Sequence, residues 1–189
     1  MKTTFYLIRH GETAFNKELR YQGLQDIPLN ATGKKQAALL GKKFKKMSKF
    51  DFIFSSTLSR AIETAEIINK FLNLGEIATF ATLVERDYGV VSGMKKDEAH
   101  TKWPDRNFPE MESRKSAINR LLKTLKKIAA KHPGKRIIIA SHGSIIRSTL
   151  AHLLKGEINS DDFDLKNGTY SILALNKNKW EVEAFNKLP

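Results

Sequence analysis

Phe5-Tyr6-Leu7-Ile8 is an unbroken apolar run that passes directly into Arg9-His10-Gly11. A strand with no polar face must be covered on both sides, which places it inside a largely parallel sheet with helices above and below. Arg136 to Ala140 repeats the pattern and breaks into Ser141-His142-Gly143. Two buried strands that each deliver a histidine and a glycine at their ends put functional groups at one rim of one sheet.

The rest of the chain supplies the covering helices. Apolar spacing predicts a helix from about Thr32 to Met47, with Ala37, Leu40 and Phe44 on one stripe. Asp51 to Phe54 reads as the second strand. Ser55-Ser56 are expected to cap the helix that carries Leu58, Ala61, Ile62, Ala65 and Ile68. A weaker strand covers about Ala78 to Phe80, and Leu83 to Pro109 reads as mostly irregular. A long helix runs from about Glu112 to Lys131, stopped by His132-Pro133-Gly134. Another follows from about Ser144 to Leu154, and Tyr170 to Leu175 with Trp180 to Phe185 forms a hairpin. The expected fold is α/β: a three-layer αβα sandwich with a mostly parallel central sheet and a C-terminal hairpin. One domain over 1–189 is expected, with a short lid-like insertion at about 86–110.

Composition excludes several classes of function. There is no cysteine, so disulfides, thiolate metal sites and cysteine nucleophiles drop out together. No apolar stretch is long enough to cross a bilayer. Met1-Lys2-Thr3-Thr4 lacks the pattern of a signal peptide, so a cytoplasmic protein is expected. Without such a signal, the glycosylation-like Asn167-Gly168-Thr169 carries no meaning. The net charge of +13 attracts polyanions and anionic metabolites alike. Much of it falls on helix surfaces such as Lys42-Lys43, Lys45-Lys46 and Lys123, Lys126, Lys127, and bases do not alternate with aromatics. Neither a nucleic acid nor a membrane is the expected partner.

In open α/β sheets ligands bind outside the carboxyl ends of the strands. That rule gathers Arg9, His10 and His142 at one point, with Arg60 leaning toward it from the first turn of its helix. The helix N-terminus at Gly143 adds backbone N–H groups. Such a set suits a phosphoryl group, whose transition state spreads negative charge over its oxygens. Arg9, Arg60, His142, Gly143 and Asn16 are the expected phosphate-binding residues. His10 would attack phosphorus, and a carboxylic acid would protonate the leaving alkoxide. Glu85, after the third strand, is the candidate. Metal binding by the two histidines is not expected, because two flanking arginines repel a cation.

Taken together, Arg9-His10-Gly11-Glu12-Thr13 with Asn16, Ser55-Ser56 with Arg60-Ala61, Glu85 ahead of Tyr88-Gly89, and Ser141-His142-Gly143 resemble the histidine phosphatase superfamily. The resemblance is to the branch holding cofactor-dependent phosphoglycerate mutases and small-molecule phosphatases, and it runs from Phe5 to about Leu154. It implies that His10 is the phosphorylated nucleophile and Glu85 the proton donor. It also implies that Gln22 and Gly23 border a small phosphorylated substrate, with no cofactor. The chain departs from the family at Val90-Val91-Ser92 and at Pro109-Glu110-Met111, where selectivity is usually set. A phosphatase is the first reading, a phosphoglycerate mutase the second, and an inactive phospho-ligand or RNA-binding protein the third. Glu12 is expected to orient neighbours. Arg147 reaches phosphate or forms a structural ion pair. His100, His132 and His152 are expected to be surface or structural, and the oligomeric state is left open.

Overall fold

The computed structural model describes residues 1–47, 49–155 and 163–189. Its first strand, β1 (Thr3–Arg9), follows the expectation closely. Phe5 and Leu7 point into one apolar cluster while Tyr6 and Ile8 point into another. A short helix α1 (Ala14–Lys17), capped by Thr13, then leads to α2 (Ala31–Lys46). Asn30 caps α2 by accepting the Gly33 N–H at 2.8 Å. Next come β2 (Phe52–Ser56), α3 (Ser59–Leu72) and β3 (Ala78–Phe80).

One expectation needs correction here. Ser55 and Ser56 do not cap α3; they are the last residues of β2, and α3 begins after Leu58 with no side-chain cap. The ladder wins because Ser55 pairs with Ala140 on the neighbouring strand. The segment after Leu83 is mostly irregular, as expected, with an α-helix within it, α4 (Lys96–Lys102). Asp97 and Glu98 in the first turn and His100 and Lys102 in the last suit the helix dipole. The segment has its own apolar cluster of Val91, Ala99 and Phe108, with Tyr21, Tyr88 and Trp103 packed against it. Trp103 meets Phe108 edge-on at 6.1 Å. Those residues lack a regular period, so no single element could be read from them.

The chain continues through α5 (Arg114–Lys131), β4 (Arg136–Ser141), α6 (Gly143–Leu153), β5 (Tyr170–Asn176) and β6 (Lys179–Lys187). Among the described residues the strands form one mixed sheet in the order β3-β2-β4-β1-β5-β6. β3, β2, β4 and β1 run parallel, and the closing hairpin adds two antiparallel strands at the β1 edge. Leu121 and Leu125 of α5 and Ile145 and Leu150 of α6 cover one face. Leu40 and Phe44 of α2 and Ala61, Ala65 and Ile68 of α3 cover the other. The result is the expected three-layer αβα arrangement. The lysines at 42, 43, 45 and 46 and at 123, 126 and 127 are exposed on α2 and α5.

Candidate active site

The site follows from strand register. Arg9 of β1 pairs with Ser141 of β4, so the next residues, His10 and His142, leave the sheet side by side. The His10 N–H donates to the Ser141 carbonyl at 3.0 Å, and the two rings lie 5.2 Å apart. Both are buried. His10 Nδ1 lies 2.7 Å from the Gly11 carbonyl oxygen. A carbonyl only accepts, so Nδ1 carries the proton and Nε2 keeps its lone pair. Burial, then Arg60 and Arg9, hold the His10 pKa well below its ordinary 6.5. Near neutrality His10 is therefore an uncharged nucleophile. His142 is held down in the same way, by burial and then Arg60. It shares a 2.8 Å hydrogen bond with Ser56 Oγ, which makes the end of β2 part of the site.

Arg60 is fully buried. Stripping water from a guanidinium costs several kcal/mol unless its donors find acceptors. Its Nη1 and Nη2 donate to the Gln25 and Gly23 carbonyls at 2.6 and 2.9 Å, binding α3 to the loop that carries Gln22 and Gly23. Burial still lowers its pKa to about 10, so it stays charged at neutral pH. Arg9 Nη1 donates to the Leu165 carbonyl, and Asp164 lies 3.9 Å from it. Arg9 Nε is buried without a hydrogen-bond partner. Gly143 makes room for this side chain, since a Cβ there would come 3.0 Å from Arg9 Nε.

Glu85 is buried and its carboxylate sits on the N-terminus of α6. It accepts the N–H groups of Ser144 and Ile145 at 3.0 Å each, and that of Arg86 at 2.9 Å. The positive end of the helix holds the carboxylate there. This revises one expectation: the α6 terminus serves Glu85 first, and only Gly143 of its first turn remains for a phosphoryl oxygen.

Arg9, His10, Asn16, Gln22, Gly23, Arg60, Glu85 and Gly143 all line one cavity of 180 Å³. The expected residues therefore converge. Asn16 Oδ1 accepts from Thr13 and Asn167, which leaves its NH₂ as the donor for a ligand. Gln22 accepts from the Thr13 hydroxyl at 3.0 Å. Glu12 stays behind the site and holds Asn30, as expected of an orienting residue. His142 touches the site through His10 and Ser56.

Other residues of the site were not foreseen. His100 lines the cavity and bonds the Tyr21 hydroxyl at 2.8 Å, rather than being incidental. Tyr88 and Lys96 line it too, and so does Arg147, in keeping with the first of its two expected roles. Asn167, of the glycosylation-like triplet, has a structural role instead. Its NH₂ group donates to the carbonyls of His10 and Gly11 at 3.1 and 3.3 Å, and Gly168 N–H reaches the carbonyls of Arg9 and His10. Its place in a turn just ahead of a strand was the signal, but its partner lies more than 150 positions away. Asn167→Ala is expected to lower kcat/KM on an aryl phosphate by about 10- to 100-fold through misplaced geometry. Stability should fall by about 1 kcal/mol. Activity within twofold of the parent protein would remove Asn167 from the positioning set.

Comparison with known proteins places these features. A family model described as histidine phosphatase superfamily (branch 1) matches residues 5–188. A Bacillus subtilis protein named as an uncharacterized phosphatase, PhoE, is 38% identical, over 97% of this chain and 94% of that one. A metal-independent phosphoserine phosphatase of Arabidopsis thaliana is 30% identical, over 97% and 81%. Phosphoglycerate mutases are among the other relatives. Of solved structures, Bacillus stearothermophilus YhfR superimposes with a TM-score of 0.89 at 27% identity, covering 99% of this chain and 98% of that one.

Proposed function

The chain belongs to the histidine phosphatase superfamily and is an enzyme of the phosphatase type, and on that premise we propose that it hydrolyses a small phosphorylated metabolite through a phosphohistidine on His10, without a metal ion. The observation that carries this reading is the neutral His10, with Nε2 unprotonated, in a cavity shared with the buried Arg60 and the half-buried Arg9. Nε2 attacks phosphorus in line as the ester oxygen departs. Arg9, Arg60 and the Asn16 amide take up the charge on the phosphoryl oxygens, with His142 packed against His10 and Ser56 behind them. Glu85 has to enter the cycle protonated, although three N–H groups face its oxygens. It gives that proton to the leaving alkoxide and regains one from the water that attacks phosphorus, as the phosphorus–nitrogen bond breaks and His10 Nε2 recovers its lone pair.

A mutase would share these residues and differ in the acceptor. It must keep a bisphosphorylated intermediate from water while it turns over, which calls for an extensive cover. Only 28 residues (86–113) separate Glu85 from α5 here, a short span for that task. The test follows 2-phosphoglycerate and free phosphate together from 3-phosphoglycerate with catalytic 2,3-bisphosphoglycerate, beside a panel of phosphomonoesters in EDTA. Phosphate release from the best ester should exceed isomerisation and survive the chelator. Isomerisation outpacing every hydrolysis makes the protein a mutase, and EDTA inhibition reversed by metal overturns metal independence.

A further inference from the structure

We propose that Gln36 and Thr64, neither of which lines the cavity, are positioning residues for the nucleophile: they clamp the two peptides around Gly11 and so keep His10 with Nε2 unprotonated. This deepens the phosphatase reading and, for its effect on turnover, rests on it.

His10 Nδ1 has the Gly11 carbonyl oxygen as its acceptor, at 2.7 Å. The proton stays on Nδ1 only while that oxygen faces the ring. The carbonyl belongs to a glycine, which has no side chain to fix its backbone. Nor could it have one, because the Gly33 carbonyl of α2 stands where a Cβ would go. The direction of the Gly11 carbonyl is therefore set by its neighbours.

Two helices set it. The peptide from Gly11 to Glu12 is planar, so its N–H and C=O point in opposite directions. Gln36 of α2 holds the N–H end. Its Oε1 accepts from the Glu12 N–H at 2.8 Å, which turns the carbonyl end toward His10. Thr64 of α3 holds the preceding peptide. Its hydroxyl accepts from the Gly11 N–H at 3.1 Å and donates to the Arg60 carbonyl at 2.7 Å. Both directions are forced, since an N–H only donates and a carbonyl only accepts. One buried hydroxyl thus ties the nucleophile's loop to the backbone of Arg60. Asn167 donates to the same Gly11 carbonyl at 3.3 Å but touches neither of these N–H groups.

Four variants test the clamp. Thr64→Val and Gln36→Met remove an acceptor at similar size, whereas Thr64→Ser and Gln36→Glu keep it. In the first pair kcat on p-nitrophenyl phosphate should fall by about 10- to 100-fold. KM should barely move, because Arg9, Arg60 and the Asn16 amide still face the phosphoryl group. The second pair should recover most of the loss. Ring ¹⁵N shifts of histidine-labelled protein report the tautomer itself, with His10→Ala identifying the His10 signals. They should show Nδ1–H in the parent protein and a growing share of Nε2–H in Thr64→Val and Gln36→Met. In Gln36→Met, turnover within about twofold of the parent, or a loss with the tautomer unmoved, overturns the proposal. Gln36 is half-buried, so this variant decides the matter even where Thr64→Val fails to fold. Equal losses in the acceptor-keeping pair would assign the effect to packing and overturn it as well. A parent protein that cleaves no phosphomonoester sinks the phosphatase reading alone, because the tautomer spectra still decide whether Gln36 and Thr64 hold His10.

Discussion

His10→Ala is expected to lower turnover of p-nitrophenyl phosphate by about 10⁴-fold or more, the scale on which a lost nucleophile is felt. Nothing else in the cavity replaces it. His142 shares its Nε2 with Ser56, and the described residues of the cavity include neither serine nor aspartate beside the arginines except Ser144 and Asp164. Ser144 sits at the α6 terminus beneath Glu85, and Asp164 lies against Arg9. Substrate affinity should persist in the variant, because Arg9 and Arg60 supply the charge and remain in place. Rapid quench of the parent protein with labelled substrate should trap an acid-labile adduct on His10. An acid-stable adduct elsewhere, or an active His10→Ala protein, would sink the mechanism.

Glu85→Gln should separate substrates by their leaving groups. An alkyl ester leaves as a strong base and needs a proton, so its kcat should fall by about 10²- to 10⁴-fold. A p-nitrophenyl ester leaves as a stabilised phenolate, and its loss should be far smaller. The structure adds a second effect. Both carboxylate oxygens accept backbone N–H groups at the start of α6, so the glutamine NH₂ must face a donor. An unsatisfied pair of that kind costs about 1–3 kcal/mol, and thermal unfolding should report it whatever the substrate. Equal losses on both esters, with the same drop in Tm, would make Glu85 a positioning residue for α6 rather than the acid.

Local chemistry made most of the fold legible. Phe5 to Ile8 and Ile137 to Ala140 have no polar face, and such strands demand helices on both sides. Apolar stripes at helical spacing named the buried faces of α2 and α3, because burial follows period. The reactive residues were legible for a related reason. A glycine after a buried strand opens the rim where ligands bind, and Arg9, His10 and His142 stand beside those glycines. Element ends were read less well. Ser55 and Ser56 have the chemistry of caps, but ladder pairing with β4 took precedence over capping.

Tertiary structure alone decided the partners of those groups. The sequence contained His10, His142 and Ser56, and the register of β1, β4 and β2 brought them into contact. Glu85 and Gly143 were both marked as site residues, yet only the fold could show the carboxylate occupying the helix terminus otherwise open to phosphate. Lys96 and His100 reach the cavity, and Asn167 the His10 carbonyl, from elements with no local mark of function. A chain encodes period and polarity over a few residues, and these determined the layers and the chemistry of the rim. Contacts across a hundred positions depend on how the layers close, and that closure selected which groups meet.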